Sequence, residues 1–183
     1  MNKHLRYLSY VAKHKAFVAA ECFRQGLYVR GLFHDWHKFL PEEWGPYAEY
    51  FYGEGDRAKK IKEQGDGYFH KPAPTRGAGQ WPPYGGAAFD LAWLRHLKKA
   101  DHHWQWWILS EDEGGAKILP MSPDARLEMV CDWCGASKAQ GKDGWPAVLQ
   151  WYQANKGKMK LHPETRVWVE AFLTDQARGR RVE

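Results

Sequence analysis

The chain has 183 residues, of which 44% are apolar and 27% charged, with 11 Trp, nine His and a formal net charge of +5. A chain this long can bury a core without disulfides or a structural metal, and this composition excludes global disorder. Mean hydropathy is −0.70 and no stretch approaches the ~18 uninterrupted apolar residues of a membrane span, so no membrane partner is expected. The first 17 residues intersperse charges and histidines with apolar residues, unlike a signal peptide. Three cysteines make no full disulfide framework, and the expected location is cytoplasmic. The basic balance favours an anionic partner.

In chain order, residues 3–25 read as a helix from the spacing of Leu5, Leu8 and Ala12 and of Tyr7, Val11 and Val18, ended by Gly26. Residues 27–34 are ambiguous between helix and strand and are read as a short helix. Leu40-Pro41-Glu42-Glu43 opens a helix to about Tyr52, with proline in the first turn and acids at the positive end of the dipole. Residues 53–86 are rich in glycine and proline and read as a long insertion loop or lid, with Lys59, Lys60, Lys62, Lys71 and Arg76 to meet an anion. Residues 87–109 form the strongest helical pattern. Ser122-Pro123 opens a helix to about Gly135, and residues 145–155 and 163–177 close the fold. No alternating run marks a sheet. The expected fold is all-α, a compact helical bundle forming one domain over 1–183.

The candidate chemistry centres on His34-Asp35-Trp36-His37-Lys38. Adjacent imidazole and carboxylate donors at a helix end suit one divalent ion such as Mn, Fe, Co, Ni or Zn. Further donors occur elsewhere. His14 sits beside the core-facing stripe of the first helix. His96 and His103, seven apart on the predicted 87–109 helix, face one side, and His102 points about a third of a turn away. Glu128 and Asp132 are an i, i+4 pair and share a face. Cys131-Asp132-Trp133-Cys134 lacks the second cysteine pair of a zinc site, so both thiols read as small buried residues.

The order His14, His34-Asp35, Asp132 resembles the HD-domain superfamily of metal-dependent phosphohydrolases, all-α proteins with metal held between core helices. The HDxxK run is similar to that of the HD-GYP phosphodiesterases, although no GYP motif follows. The whole chain, with HDxxKF, HHW and EMVxDW, also resembles an uncharacterised HD-like family of phage and bacterial genomes. The resemblance implies one or two ions. His14, His34, Asp35 and Asp132 would hold one, and His96 with His103 or His102 a second. Asp35, Lys38 and Glu128 are the candidate catalytic residues. Lys15, Arg95, His37, Trp36 and again Lys38 are the candidate substrate contacts, with Lys38 neutralising a phosphate. Trp104 and Trp107 are candidates to line a base pocket.

The expected activity is hydrolysis, by metal-activated water, of a nucleotide or other small phosphate ester. An HD-type di-iron oxygenase uses the same donor order, and a non-enzymatic phage-type binding or inhibitory module is the third reading. The tail Arg178, Arg180 and Arg181 admits a nucleic-acid contact, and a Trp-rich surface patch would favour a homodimer.

Overall fold

The structure, a computed structural model, describes residues 2–54 and 86–179. Most of the expected insertion loop, including its five basic residues, and Arg180 and Arg181 of the tail lie outside the described residues. Seven α-helices occur among the described residues: α1 (Lys3–Arg24), α2 (Tyr28–Phe33), α3 (Pro41–Tyr52), α4 (Gly86–Lys99), α5 (Pro123–Ala139), α6 (Gly144–Asn155) and α7 (Pro163–Ala177). The all-α expectation holds. No described helix is long and apolar enough to cross a membrane.

Local chemistry accounts for most helix boundaries. Gly26 takes a left-handed φ of 81°, where a glycine costs least, and stops α1. Prolines occupy the first turn of α3, α5 and α7, where their missing N–H is no loss. Ser122 Oγ accepts a hydrogen bond from the Ala125 amide at 3.3 Å, which caps α5. That helix runs one turn past the expected end at Gly135, to Ala139.

The expected continuous helix over 87–109 is the main correction. The helix α4 ends at Lys99. A turn carries residues 100–103, a short 3-10 helix spans Trp104–Trp107, and a small hairpin follows. In that hairpin β1 (Ile108–Ser110) pairs antiparallel with β2 (Ala116–Ile118), in the register Leu109 opposite Lys117. The apolar periodicity continues through this stretch, but tertiary bonds claim the backbone. The Asp101 carbonyl accepts the Trp107 indole N–H at 2.6 Å instead of serving a helical ladder. Gly114 and Gly115, both at positive φ, close the hairpin loop.

The described residues fall into two compact units. One is drawn from Met1–Ala12 with Asp35–His96, the other from Lys13–His34 with Leu97–Glu183. The first unit packs Tyr7, Val11, Tyr47, Ala48, Tyr52 and Ala92 into an aromatic core. Tyr7 meets Trp44 edge-on at 4.8 Å, and Tyr50 stacks on Phe89 at 3.8 Å. The second unit buries Met129, Val130, Val148, Tyr152, Val169 and Leu173 between α5, α6 and α7, with Trp104 and Trp107 packed against that core. Its three cysteines, Cys22, Cys131 and Cys134, are buried free thiols, which matches the expectation for the Cys131 and Cys134 pair.

Within the second unit α1 and α5 meet at Gly135. A Cβ there would stand 2.8 Å from the Val18 backbone nitrogen and 3.0 Å from its Cα. Alanine is favoured over glycine inside a helix by about 1 kcal/mol. Collision with an unyielding backbone costs more, about 1–3 kcal/mol or above. We therefore expect Gly135→Ala to lower the thermal midpoint by several degrees, roughly 2–4 °C per kcal/mol lost. An unchanged or raised midpoint would contradict the close approach.

Candidate metal centre

In the second unit, α1 carries His14 on the same face as Val18, and both are buried. The chain leaves α2 at His34, whose φ of −46° and ψ of 123° end the helix. The helix α5 supplies Glu128 and Asp132 one turn apart. These elements bring three donor atoms together. Asp132 Oδ1 lies 3.1 Å from His14 Nε2 and 3.3 Å from His34 Nε2. Ligand atoms about 2.0–2.2 Å from one ion stand roughly 3–3.5 Å apart, so this spacing fits a shared cation.

The other face of His34 is fixed by Glu128. His34 Nδ1 lies 2.8 Å from Glu128 Oε1, and His102 Nδ1 lies 3.2 Å from the same oxygen. The second oxygen, Oε2, accepts Arg30 Nε–H at 2.6 Å, and Arg30 Nη2 donates to Asp101. Lys15 Nζ donates to the His34 carbonyl, which holds the bend. A neutral imidazole has one N–H. His34 therefore satisfies carboxylates at both nitrogens only if it is protonated or a cation stands between Nε2 and Asp132.

The first unit holds a parallel set. Asp35 is the one non-glycine residue at positive φ among those described, with φ 50° and ψ 30°. Such conformations cost of order 1 kcal/mol or more and persist where surroundings impose them. The bend buries the Asp35 carboxylate, with Oδ2 2.6 Å from Lys38 Nζ. Its Oδ1 lies 3.7 Å from His96 Nε2 and 3.8 Å from His37 Nε2. Glu43, from the first turn of α3, holds both rings by their far nitrogens. His37 Nδ1 is 3.0 Å from Oε1, and His96 Nδ1 is 3.1 Å from Oε2. His96 also stacks on Trp93 at 5.3 Å.

Charge states follow from these contacts. Burial alone would raise the Glu43 carboxyl, but hydrogen bonds from His37 and His96 outweigh it and hold it at about 2. Burial likewise opposes ionisation of Glu128, and bonds from His102 and His34 bring it to about 2. Asp132 is held well below the carboxylate range, because the His14 and His34 contacts overcome its burial. Burial pushes His96 down, against the attraction of Asp35 and the Glu43 hydrogen bond. Burial, aided by Asp35 and Glu43, pushes the Tyr7 and Tyr47 phenols up.

Of the sequence candidates, His14, His34, His102, Glu128 and Asp132 come together in the second unit, and Asp35, His37, Lys38 and His96 in the first. His96 and His103 do not share a helix face, since α4 ends between them. His103 is half-buried, its ring 4.3 Å from that of His102, and it is His102 that reaches Glu128. Trp36 is 57% exposed, and Arg95 is exposed on α4, about 100° round the helix from the buried His96. Sequence reading missed Glu43 and Arg30. Glu43 was visible only as an acid at a helix start, and Arg30 sat unremarked in an apolar stretch.

The donor types suit a borderline or hard divalent ion. Two within-unit groups, His34, His102 and Glu128, and His37, Glu43 and His96, each bring ligand atoms within 4.8 Å of one another. A family described as of unknown function, DUF5662, matches residues 3–175. No curated protein and no solved structure matches the chain.

The shifts fix the direction of acid sensitivity. Glu43, Glu128, Asp132 and His96 all have folded values below their unfolded ones. Each therefore contributes stability that is present above its unfolded value and lost on acidification. For His96 the loss begins as pH falls below its ordinary 6.5. For the two glutamates it runs from 4.5 down to about 2. Urea midpoints should hold steady from about pH 7 to pH 8 and fall progressively below pH 7. They should fall again above about pH 9, where the thiols of Cys131 and Cys134 and then the phenols of Tyr7 and Tyr47 ionise in the unfolded chain first. A flat profile from pH 7 to pH 4 would contradict these charge assignments.

Proposed function

We propose that this chain, which belongs to the DUF5662 family, is a metal-dependent phosphohydrolase acting on a nucleotide or another small phosphate ester. The observation that carries the reading is the convergence of His14 Nε2 and His34 Nε2 on Asp132 Oδ1 in a buried site. The order of donors along the chain, which resembles the HD-domain phosphohydrolases, adds to it. His14, His34 and Asp132 would hold one divalent ion such as Mn, Fe, Co, Ni or Zn. Asp35 and His96 are the donors that the first unit offers to an ion. A bound ion of this kind lowers the pKa of water and polarises a phosphoryl oxygen.

The remaining roles belong to the chain. Lys38 places an ammonium 2.6 Å from Asp35, where a phosphate seated beside that carboxylate would share it. In hydrolysis the water oxygen bonds to phosphorus as the ester P–O bond breaks, a proton passes from the water to the leaving oxygen, and charge is spread over the phosphoryl oxygens in the transition state. A fixed cation next to that charge stabilises the transition state. Trp36, exposed beside His37 at 6.2 Å, offers a flat surface for a base. The formal charge of +5 steers anions toward the protein.

The test combines metal content with turnover. Untagged protein should retain or take up one or two transition-metal ions per chain, counted by elemental mass spectrometry, and Asp132→Asn should lose at least one. A panel of nucleotides and phosphate esters should yield phosphate or monoester product. Lys38→Ala should lower kcat/KM by about 10²–10³-fold, the loss typical of one charge-stabilising donor, with metal content unchanged. Absence of metal uptake would overturn the reading, as would iron accompanied by oxygen consumption without phosphate ester cleavage.

A further inference from the structure

Two glutamates repeat one arrangement in separate units. Glu43 meets Nδ1 of His37 and of His96, and Glu128 meets Nδ1 of His34 and of His102. In each case the Nε2 side of at least one ring faces an aspartate. His37 and His96 Nε2 lie 3.8 and 3.7 Å from Asp35 Oδ1, and His34 Nε2 lies 3.3 Å from Asp132 Oδ1. The two longer separations exceed a hydrogen bond. They are near the spacing of two ligands on one ion.

We propose that Glu43 and Glu128 are positioning residues, each fixing a pair of imidazoles as the Nδ1–H tautomer so that Nε2 is presented as the ligand atom. This rests on the metal reading above and extends it. Glu128 becomes an orienting group rather than a catalytic residue, and His37 a ligand rather than a substrate contact.

The chemistry leaves little alternative for these atoms. An ionised carboxylate only accepts hydrogen bonds, so each imidazole nitrogen facing it carries the proton. The second nitrogen of a neutral ring then holds a lone pair, which is the form that binds metal. Outer carboxylates that bind the far N–H of a ligating histidine set its tautomer and raise its basicity. The glutamates are themselves anchored. Glu43 is fully buried in the first turn of α3, where the helix dipole favours its charge. Glu128 Oε2 is taken by Arg30, which Asp101 holds in turn. Both oxygens of each glutamate are thus engaged.

The experiment reads tautomers directly, in metal-free protein, by long-range ¹H–¹⁵N correlation spectra of the histidine rings. His37, His96 and His102 should be protonated at Nδ1 and bare at Nε2, whereas His34, which also faces Asp132, should carry a proton at Nε2 until an ion replaces it. Nε2–H tautomers of His37, His96 or His102, or their double protonation at pH 8, would overturn the proposal without any variant being made. Glu43→Gln and Glu128→Gln keep side-chain volume but offer one acceptor and one donor. Each should shift one ring of its pair to the Nε2–H tautomer and weaken metal binding about 10–100-fold in a chelator competition, at unchanged stoichiometry. Unchanged affinity would reduce the glutamates to structural anions. Loss of a whole metal equivalent would make them ligands, and either result overturns the proposal. A parent with the expected tautomers that takes up no ion would uphold the positioning and overturn the hydrolase reading.

Discussion

Four carboxylates, those of Glu21, Asp35, Glu43 and Glu128, are buried among the described residues. An isolated ionised carboxylate in an apolar interior costs several kcal/mol even after the surroundings relax. Each must therefore find cations or strong donors, and that requirement organises much of the structure. Glu21 is met by Lys138 at 2.5 Å and by Arg24. Asp35 takes Lys38, while Glu43 and Glu128 take imidazoles in pairs. The outcome is a structure in which histidines are drawn inward and aimed by carboxylates rather than left on the surface.

That constraint also shapes what the site is suited to do. Paired imidazoles held by a common carboxylate are rigid, and rigid donors define a site better than mobile ones. The bend at His34-Asp35 contributes twice. It ends α2 so that His34 turns toward α5, and it sets Asp35 in a left-handed conformation that points its carboxylate at Lys38, His37 and His96. Cationic groups lie beside both sets, Lys38 in one unit and Lys15 with Arg30 in the other. The proposed hydrolase reading draws on these cationic groups.

Much of the fold was legible in the sequence because its punctuation is local. Pro41, Pro123 and Pro163 each open a helix, and Gly26 closes one. The stretch after Lys99 was not legible, because helical periodicity persists through residues whose backbone bonds go to tertiary partners such as the Trp107 indole. The donor order was readable from His14, His34, Asp35, His96 and Asp132, since all sit near apolar positions of strong helical patterns or at their ends. The orienting roles proposed for Glu43 and Glu128 were not, although Glu128 itself was a sequence candidate. Glu43 acquires its role from His96, 53 residues away, and Glu128 from His34, 94 residues away. Pairings across such separations leave no trace in spacing. His37 was read as a substrate contact, and nothing in HDWHK reveals that it is buried against Glu43.

Everything proposed for this chain requires that its histidines and aspartates bind a divalent ion. X-ray absorption at the metal edge of zinc- or manganese-loaded protein tests it most directly. Nitrogen and oxygen scatterers are expected at about 2.0–2.2 Å, with the outer-shell signature of at least two imidazole rings. A shell of oxygens alone, without imidazole, would contradict it. So would sulfur scattering at about 2.3 Å, which would move the ion to the cysteines of α5.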